Sequence, residues 1–224
     1  MRIKSGVLVL AVFLLAGCQH RPWMALKGCS VPFPDESRQA VVVERDGSTP
    51  SGATISLYER DDDGWQLQGA PMPAVIGRNG LAPVGEKREG DGRTPSGVFP
   101  LERGFGYYPM KARVPYILLT PDMVWIDDPR SPQYNRLVDR KAAAGYSYEV
   151  MRRNDYLYLN GVVIEYNTKK TVPGAGSAIF FHIWRAPGVP TAGCVAAAQK
   201  DVDLLLSWLD PAKHPVAVIG DACR

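Results

Sequence analysis

The stretch ATISLYERDDDGWQLQG (Ala53–Gly69) alternates apolar and polar residues on both sides of Asp63-Gly64. A period of two sends successive side chains to opposite faces of a strand, and an Asp-Gly pair between two such runs is hairpin chemistry. A hairpin with one apolar face must be buried against more sheet or a helix. The chain offers further strand-like runs: AVVVERD (Ala40–Asp46), YILLT (Tyr116–Thr120), YLYLNGVVIEY (Tyr156–Tyr166), AIFFHIW (Ala178–Trp184) and HPVAVIG (His214–Gly220). The Asn160-Gly161 pair either splits the third of these with a turn or lies within it. Helical spacing is clear only at Val202, Leu205, Leu206 and Leu209, closed by Asp210-Pro211, with a second short helix expected over Asn135–Ala144 and stopped by Gly145. The expectation is a β-rich domain with a helix or two. Asp61, Asp62 and Asp63 read as a solvated turn rather than a metal site, because no imidazole or further carboxylate is placed to complete one.

The N-terminus constrains the compartment. Arg2 and Lys4 precede an apolar stretch from Gly6 to Gly17, too short to span a bilayer as a helix, which reads as an export signal over residues 1–17. Its end, Leu15-Ala16-Gly17-Cys18, resembles a lipobox, which implies lipidation of Cys18. Gln19 after that cysteine points to the periplasmic face of the outer membrane of a Gram-negative bacterium. Residues 18–38 are Pro-rich and aperiodic and read as a membrane tether, leaving 39–224 as one catalytic-sized domain. Removing Arg2 and Lys4 with the signal lowers the formal net charge from +3 to +1, and no basic patch argues for nucleic acid.

Three cysteines then remain in an oxidising compartment. Cys29 and Cys223 lie near the two ends of the mature chain, where the termini of a domain often meet, so they are expected to pair and to leave Cys194 free. The free thiol follows an apolar run that carries a histidine: FFHIWRAPGVPTAGC, Phe180–Cys194. A thiol needs a base to become a nucleophile near neutral pH, and a histidine within hydrogen-bond reach supplies one. The loop from Ala186 to Gly193 is long enough to return Cys194 to His182, and Gly193 lets the backbone turn so that nearby N–H groups face a developing oxyanion. The competing reading is a core histidine beside a buried structural thiol. The other histidines, His20 in the tether and His214 before Pro215, are less suited to act as base.

The segment FHIWRAPGVPTAGCVA resembles the signature of the YkuD-type L,D-transpeptidase catalytic domain, in which a histidine is followed by a Ser/Thr-x-Gly-Cys element. GRNGLAP (Gly77–Pro83), KREGDGRTPSGVFPL (Lys87–Leu101), WIDDPRSPQYNRLV (Trp125–Val138) and PGAGSAIFFH (Pro173–His182) are similar to the Gram-negative branch of that family, over most of the chain from about Ala53 to Ile219. The resemblance implies a mainly β domain, sandwich- or barrel-like, acting on the peptide stems of peptidoglycan without metal or organic cofactor. Cys194 matches the acylated nucleophile, His182 its base, and Thr191 and Gly193 the positions that shape the oxyanion site. The sequence departs from many members at Ala192, where a histidine is common, and at Ala196, where Arg or Asn is common. Substrate contacts are therefore assigned to Arg185, Arg93, Tyr134 and Asn135. The expected reaction is L,D-transpeptidation; L,D-carboxypeptidase or amidase chemistry with the same Cys/His pair, and a non-catalytic peptidoglycan-binding lipoprotein, are the alternatives.

Overall fold

The expected hairpin turns at Asp61–Gly64 and joins two long strands, β2 (Gly52–Asp61) and β3 (Gly64–Val75). Residues 34–220 are described by the computed structural model. The signal segment, Cys18, most of the tether and the Cys29/Cys223 pair lie outside them. Within the described part, Ser37 is already buried and the Arg38 N–H donates to the Lys213 carbonyl, so residues at the tether's end pack on the domain.

In chain order the other strands are β1 (Gln39–Arg45), β4 (Leu81–Ala82), β5 (Thr94–Pro95), β6 (Gly97–Pro100), β7 (Gly104–Gly106), β8 (Tyr116–Leu118), β9 (Met123–Ile126), β10 (Leu137–Asp139), β11 (Tyr148–Val150), β12 (Asn160–Val163), β13 (Phe180–Ile183), β14 (Val195–Ala197) and β15 (Val216–Ile219). Ten form one mixed sheet in the order β6, β15, β1, β2, β3, β14, β13, β12, β7, β8. Strands β10, β9 and β11 make a second sheet, and β4 and β5 a small third. The fold is mainly β, as the resemblance implies. The two halves of the large sheet approach each other: the Glu165 N–H, just past β12, donates to Pro100 O at the end of the edge strand β6 at 3.0 Å. A sheet this wide curls to bury its inner face. The inner core accordingly mixes Val41, Ile55, Ala217 and Ile219 from one half with Val162, Phe181 and Val195 from the other.

Helix α1 (Gln199–Trp208) closes that core with Val202, Leu205 and Leu206, the stripe read from the sequence, and Leu209 follows it inward. The expected helix over Asn135–Ala144 is instead strand β10 followed by a single 3-10 turn, Arg140–Ala143. Asn135 has φ +59°, outside the right-handed helical region, Leu137 pairs with Trp125 of β9, and Asp139 caps the turn by accepting the Lys141 N–H. Tertiary pairing and local side-chain chemistry thus override helix propensity. Asn160-Gly161 is not a turn but lies in β12; a Cβ at Gly161 would come within 2.4 Å of the Phe105 ring and 2.7 Å of Phe181 O, so packing requires glycine there.

Alternation along β13 sorts its side chains. Phe181 enters the inner core, whereas Phe180 joins Phe105, Trp125, Tyr158 and Cys194 on the opposite face. Phe180 meets Trp125, Phe105 and Tyr158 edge-on at centroid distances of 4.9, 5.2 and 5.6 Å, geometry worth about 0.5–1.5 kcal/mol per pair beyond area burial. This aromatic layer packs behind the site, reaching the cavity through Tyr158 and Cys194.

Candidate active site

Strands β13 and β14 are parallel neighbours, with Phe181 opposite Val195 and His182 opposite Ala196. Continuing that register brings Cys194 beside Phe180, so the thiol and the imidazole project from the same face, two residues apart along the strands. The loop between the strands therefore does what the sequence requires of it. Both residues line a cavity of about 380 Å³, as does Ala196, the residue of β14 opposite His182. The methyl of Ala196 leaves open the space next to His182 that a longer side chain would occupy.

The nucleophile loop is strapped down by Thr191. Its Oγ1 donates to the Cys194 carbonyl at 2.6 Å and accepts the Gly193 N–H at 3.1 Å. Thr191 N donates to Ile76 O and Arg78 N donates to Thr191 O, locking the loop to the end of β3. Thr94 Oγ1 donates to Cys194 O at 3.3 Å from a second direction. Gly193, at φ +156°, packs so closely that a Cβ would lie 3.0 Å from Arg93 O. Its N–H is engaged by Thr191 in this state, so Gly193 shapes the loop rather than presenting an idle donor to an oxyanion.

Cys194 is only 8% exposed. Its Sγ donates to Ala178 O at 3.2 Å, and burial, followed by the nearby Glu149 charge, pushes the thiol up to about 12. Burial likewise lowers the His182 imidazole to about 4. The resting pair is therefore a neutral thiol and a neutral imidazole, not the ion pair that a solvent-exposed couple would form. His182 Nδ1 donates to Ile183 O at 2.8 Å, which fixes the tautomer and leaves Nε2 with a lone pair to accept a proton. A backbone carbonyl thus orients the base.

One wall of the cavity was not legible in the sequence. The Tyr158 ring stands edge-on to His182, centroids 5.1 Å apart, and its hydroxyl donates to Glu149 Oε1 at 2.6 Å. Arg153 pairs with Glu149 at 3.2 Å and with Asp155 at 2.7 Å, and Asp155 meets Arg185 at 3.4 Å. Arg78, Lys87 and Glu89 line another wall of the cavity. Lys87 is buried against Asp91 at 2.7 Å, and Glu89 Oε2 accepts from Ser177 Oγ at 2.7 Å and from the Tyr134 hydroxyl. Cations and carboxylates interleave around the cavity, which suits a ligand carrying both signs of charge. Lys87 and Glu89 lie in the KREGDGRTPSG segment, the one sequence signal that pointed to this wall.

The expected substrate contacts separate into three situations. Arg185 is exposed at the cavity and free to meet a ligand on the side away from Asp155. Arg93 lines a different cavity with Arg45, Asn79 and Ser96, while its carbonyl backs Gly193. Tyr134 and Asn135 are buried, and their polar atoms are engaged internally: the Tyr134 hydroxyl with Glu89 and the Gly176 N–H, Asn135 with Trp125, Ala178, Tyr166 and Asn167. These two build the wall behind the cavity rather than its surface.

A curled mainly β sheet carrying a thiol and an imidazole in one charged cavity defines a cysteine–histidine domain. Residues 48–218 match the family model of the YkuD L,D-transpeptidase catalytic domain, and the chain belongs to that family of peptidoglycan-modifying transferases. No curated protein sequence matches the chain. Among solved structures, the helical cell shape determining protein Pgp2 from Campylobacter jejuni is similar at 15% identity and a TM-score of 0.45, over 88% of this chain and 53% of that one. A mutant of the same protein is similar at 14% identity and a TM-score of 0.44, over 88% and 52%. The chain spans about half the length of that protein.

Proposed function

We propose that the protein is a cysteine-dependent L,D-transpeptidase that transfers acyl groups between peptidoglycan peptide stems. The observation that carries the reading is the placement of Cys194 and a tautomer-fixed His182 on one face of adjacent parallel strands, lining a cavity with mixed charge. Because both groups rest neutral, attack is coupled to proton transfer. As the carbonyl of the L,D bond before a terminal D-amino acid approaches Sγ, His182 Nε2 takes the thiol proton and the C–S bond forms. The imidazolium then protonates the departing amine, the C–N bond breaks, and a thioester on Cys194 remains. An amine of a second stem attacks the thioester, gives its proton to His182, and the thiol recovers that proton as the C–S bond breaks. Thr191 and the backbone of the TAGC turn hold Cys194 in register, and Arg185 meets a substrate carboxylate at the mouth.

Incubating the purified protein with defined tetrapeptide muropeptides and weighing the products tests this directly. Cross-linked dimers support transpeptidation, tripeptides mean that water resolves the thioester, and an unchanged substrate refutes catalysis. We further propose that Cys18 carries lipid and holds the domain at the periplasmic face of the outer membrane, with Cys29 bridged to Cys223. A Cys18→Ala chain recovered with membranes at the mass of a signal-cleaved lipoprotein refutes the anchor, and free Cys29 and Cys223, or a bridge to Cys194, in non-reducing peptide maps refute the pairing.

A further inference from the structure

Beyond the cavity, two tyrosines stand out of the surface where burial would be their ordinary state. Tyr108 is 61% exposed and Tyr156 is 62% exposed. They belong to one assembly. The Tyr156 ring leans on the buried Tyr107 ring at a centroid distance of 6.5 Å, and the Arg152 guanidinium sits 4.9 Å from the Tyr107 ring and 5.7 Å from that of Tyr108. Arg152 Nη1 is pinned by Tyr107 O at 3.0 Å and Leu119 O at 2.9 Å, and the Tyr107 hydroxyl accepts the Arg153 N–H at 2.7 Å. The exposed rings therefore rest on a rigid base. Tyr156 also holds φ +58°, a left-handed conformation that is costly for an aromatic residue and persists only where the surroundings impose it.

This assembly is continuous with the site. Leu157, next to Tyr156 in the chain, and Arg153, three residues before it, both line the cavity that holds Cys194 and His182, and Asp155 pairs with Arg185 at the same cavity. We propose that Tyr108 and Tyr156, braced by Arg152 and Tyr107, form a platform that stacks on the sugar rings of a glycan strand whose attached peptide enters the cavity. The inference rests on the peptidoglycan reading above. A pyranose ring has C–H faces and polar edges, matching phenol rings that offer an apolar face and a hydroxyl, with the Arg152 guanidinium against the Tyr108 ring. A second copy of the chain would need far more apolar area than two rings supply. An anionic membrane would need a cluster of free cations, whereas Arg152 is held by the Tyr107 and Leu119 carbonyls and Arg153 pairs with Glu149 and Asp155.

The test uses the full chain with Cys194→Ala, so that nothing turns over, and two probes: peptide-free strands of alternating N-acetylated amino sugars, and a sugar-free tetrapeptide. The parent chain is expected to bind the strands. Tyr108→Ala with Tyr156→Asn, the latter chosen because Asn tolerates the left-handed backbone, is expected to weaken strand binding roughly tenfold or more and leave tetrapeptide affinity alone. Phe at both positions keeps the rings and should hold strand affinity within roughly twofold. Absence of strand binding, equal binding by the double variant, or loss of self-association in sedimentation with unaltered strand affinity would each overturn the platform. Tyrosine-dependent strand binding, together with failure of the wild-type chain to convert muropeptides, would leave the platform standing and sink the catalytic reading alone.

Discussion

Asn135 Oδ1 accepts the Ala178 N–H at 3.0 Å, and the carbonyl of that same alanine accepts the Cys194 thiol at 3.2 Å. The amide that fixes the alanine also accepts from Trp125 Nε1 at 2.8 Å and donates to the carbonyls of Tyr166 and Asn167. Ala178 itself sits at φ +52°, so its peptide orientation depends on this clamp. The resting position of the nucleophile is thereby set by a side chain that never reaches the cavity.

Replacing Asn135 with Ala takes the acceptor from the buried Trp125 indole N–H and Ala178 N–H and the donor from the Tyr166 and Asn167 carbonyls, each buried orphaned group costing about 1–3 kcal/mol. We expect a loss of about 3 kcal/mol or more in urea unfolding and a disordered Cys194 loop. Wild-type stability in Asn135→Ala would show that the clamp does not carry the wall.

Cys194→Ala and His182→Ala should each lower muropeptide conversion roughly a thousandfold or more while circular dichroism stays native, because attack and leaving-group protonation are both lost. Cys194→Ser should be nearly as inactive, its hydroxyl being much harder to deprotonate than a thiol. Turnover close to wild type by folded Cys194→Ala would return His182 and Cys194 to a structural role.

The thiol titrates high because it is buried and because Glu149 stands nearby. Glu149→Gln keeps an acceptor for the Tyr158 hydroxyl and removes the charge. The pH profile of Cys194 alkylation by iodoacetamide should therefore move down from about 12 in the variant. An identical profile in both proteins would mean that burial alone holds the thiol protonated.

His182 gives the fold a specific acid sensitivity. Its imidazole titrates near 4 in the folded chain against an ordinary value of 6.5. Between those values the unfolded chain binds a proton that the folded chain refuses, so this contribution is complete above about 6.5 and is lost as pH falls through about 4. The loss amounts to about 3 kcal/mol. Glu149, raised by burial, acts in the opposite sense, so the clean measurement is a comparison of urea unfolding in wild type and His182→Gln across this window. The variant should show the flatter dependence; parallel curves would count against a buried neutral imidazole.

Local chemistry alone determined the hairpin at Asp63-Gly64, the strands at Ala40, Phe180 and Val216, and helix α1, because two-residue alternation and helical spacing are properties of neighbouring residues. The proximity of His182 and Cys194 was legible for the same reason: a strand, a Gly/Pro loop and a second strand occupy one short stretch. Tertiary structure decided everything that depends on distant segments meeting. It made a strand and a 3-10 turn of Leu137–Ala143 by pairing Leu137 with Trp125, and it turned Tyr134 and Asn135 inward because Glu89 and Ala178 lie where their polar atoms can be satisfied. It also set Glu149 and Tyr158 against His182, and with them the burial that keeps thiol and imidazole neutral. Ionisation depends on how much water and charge the whole fold leaves around a group, and no short window of sequence contains that information.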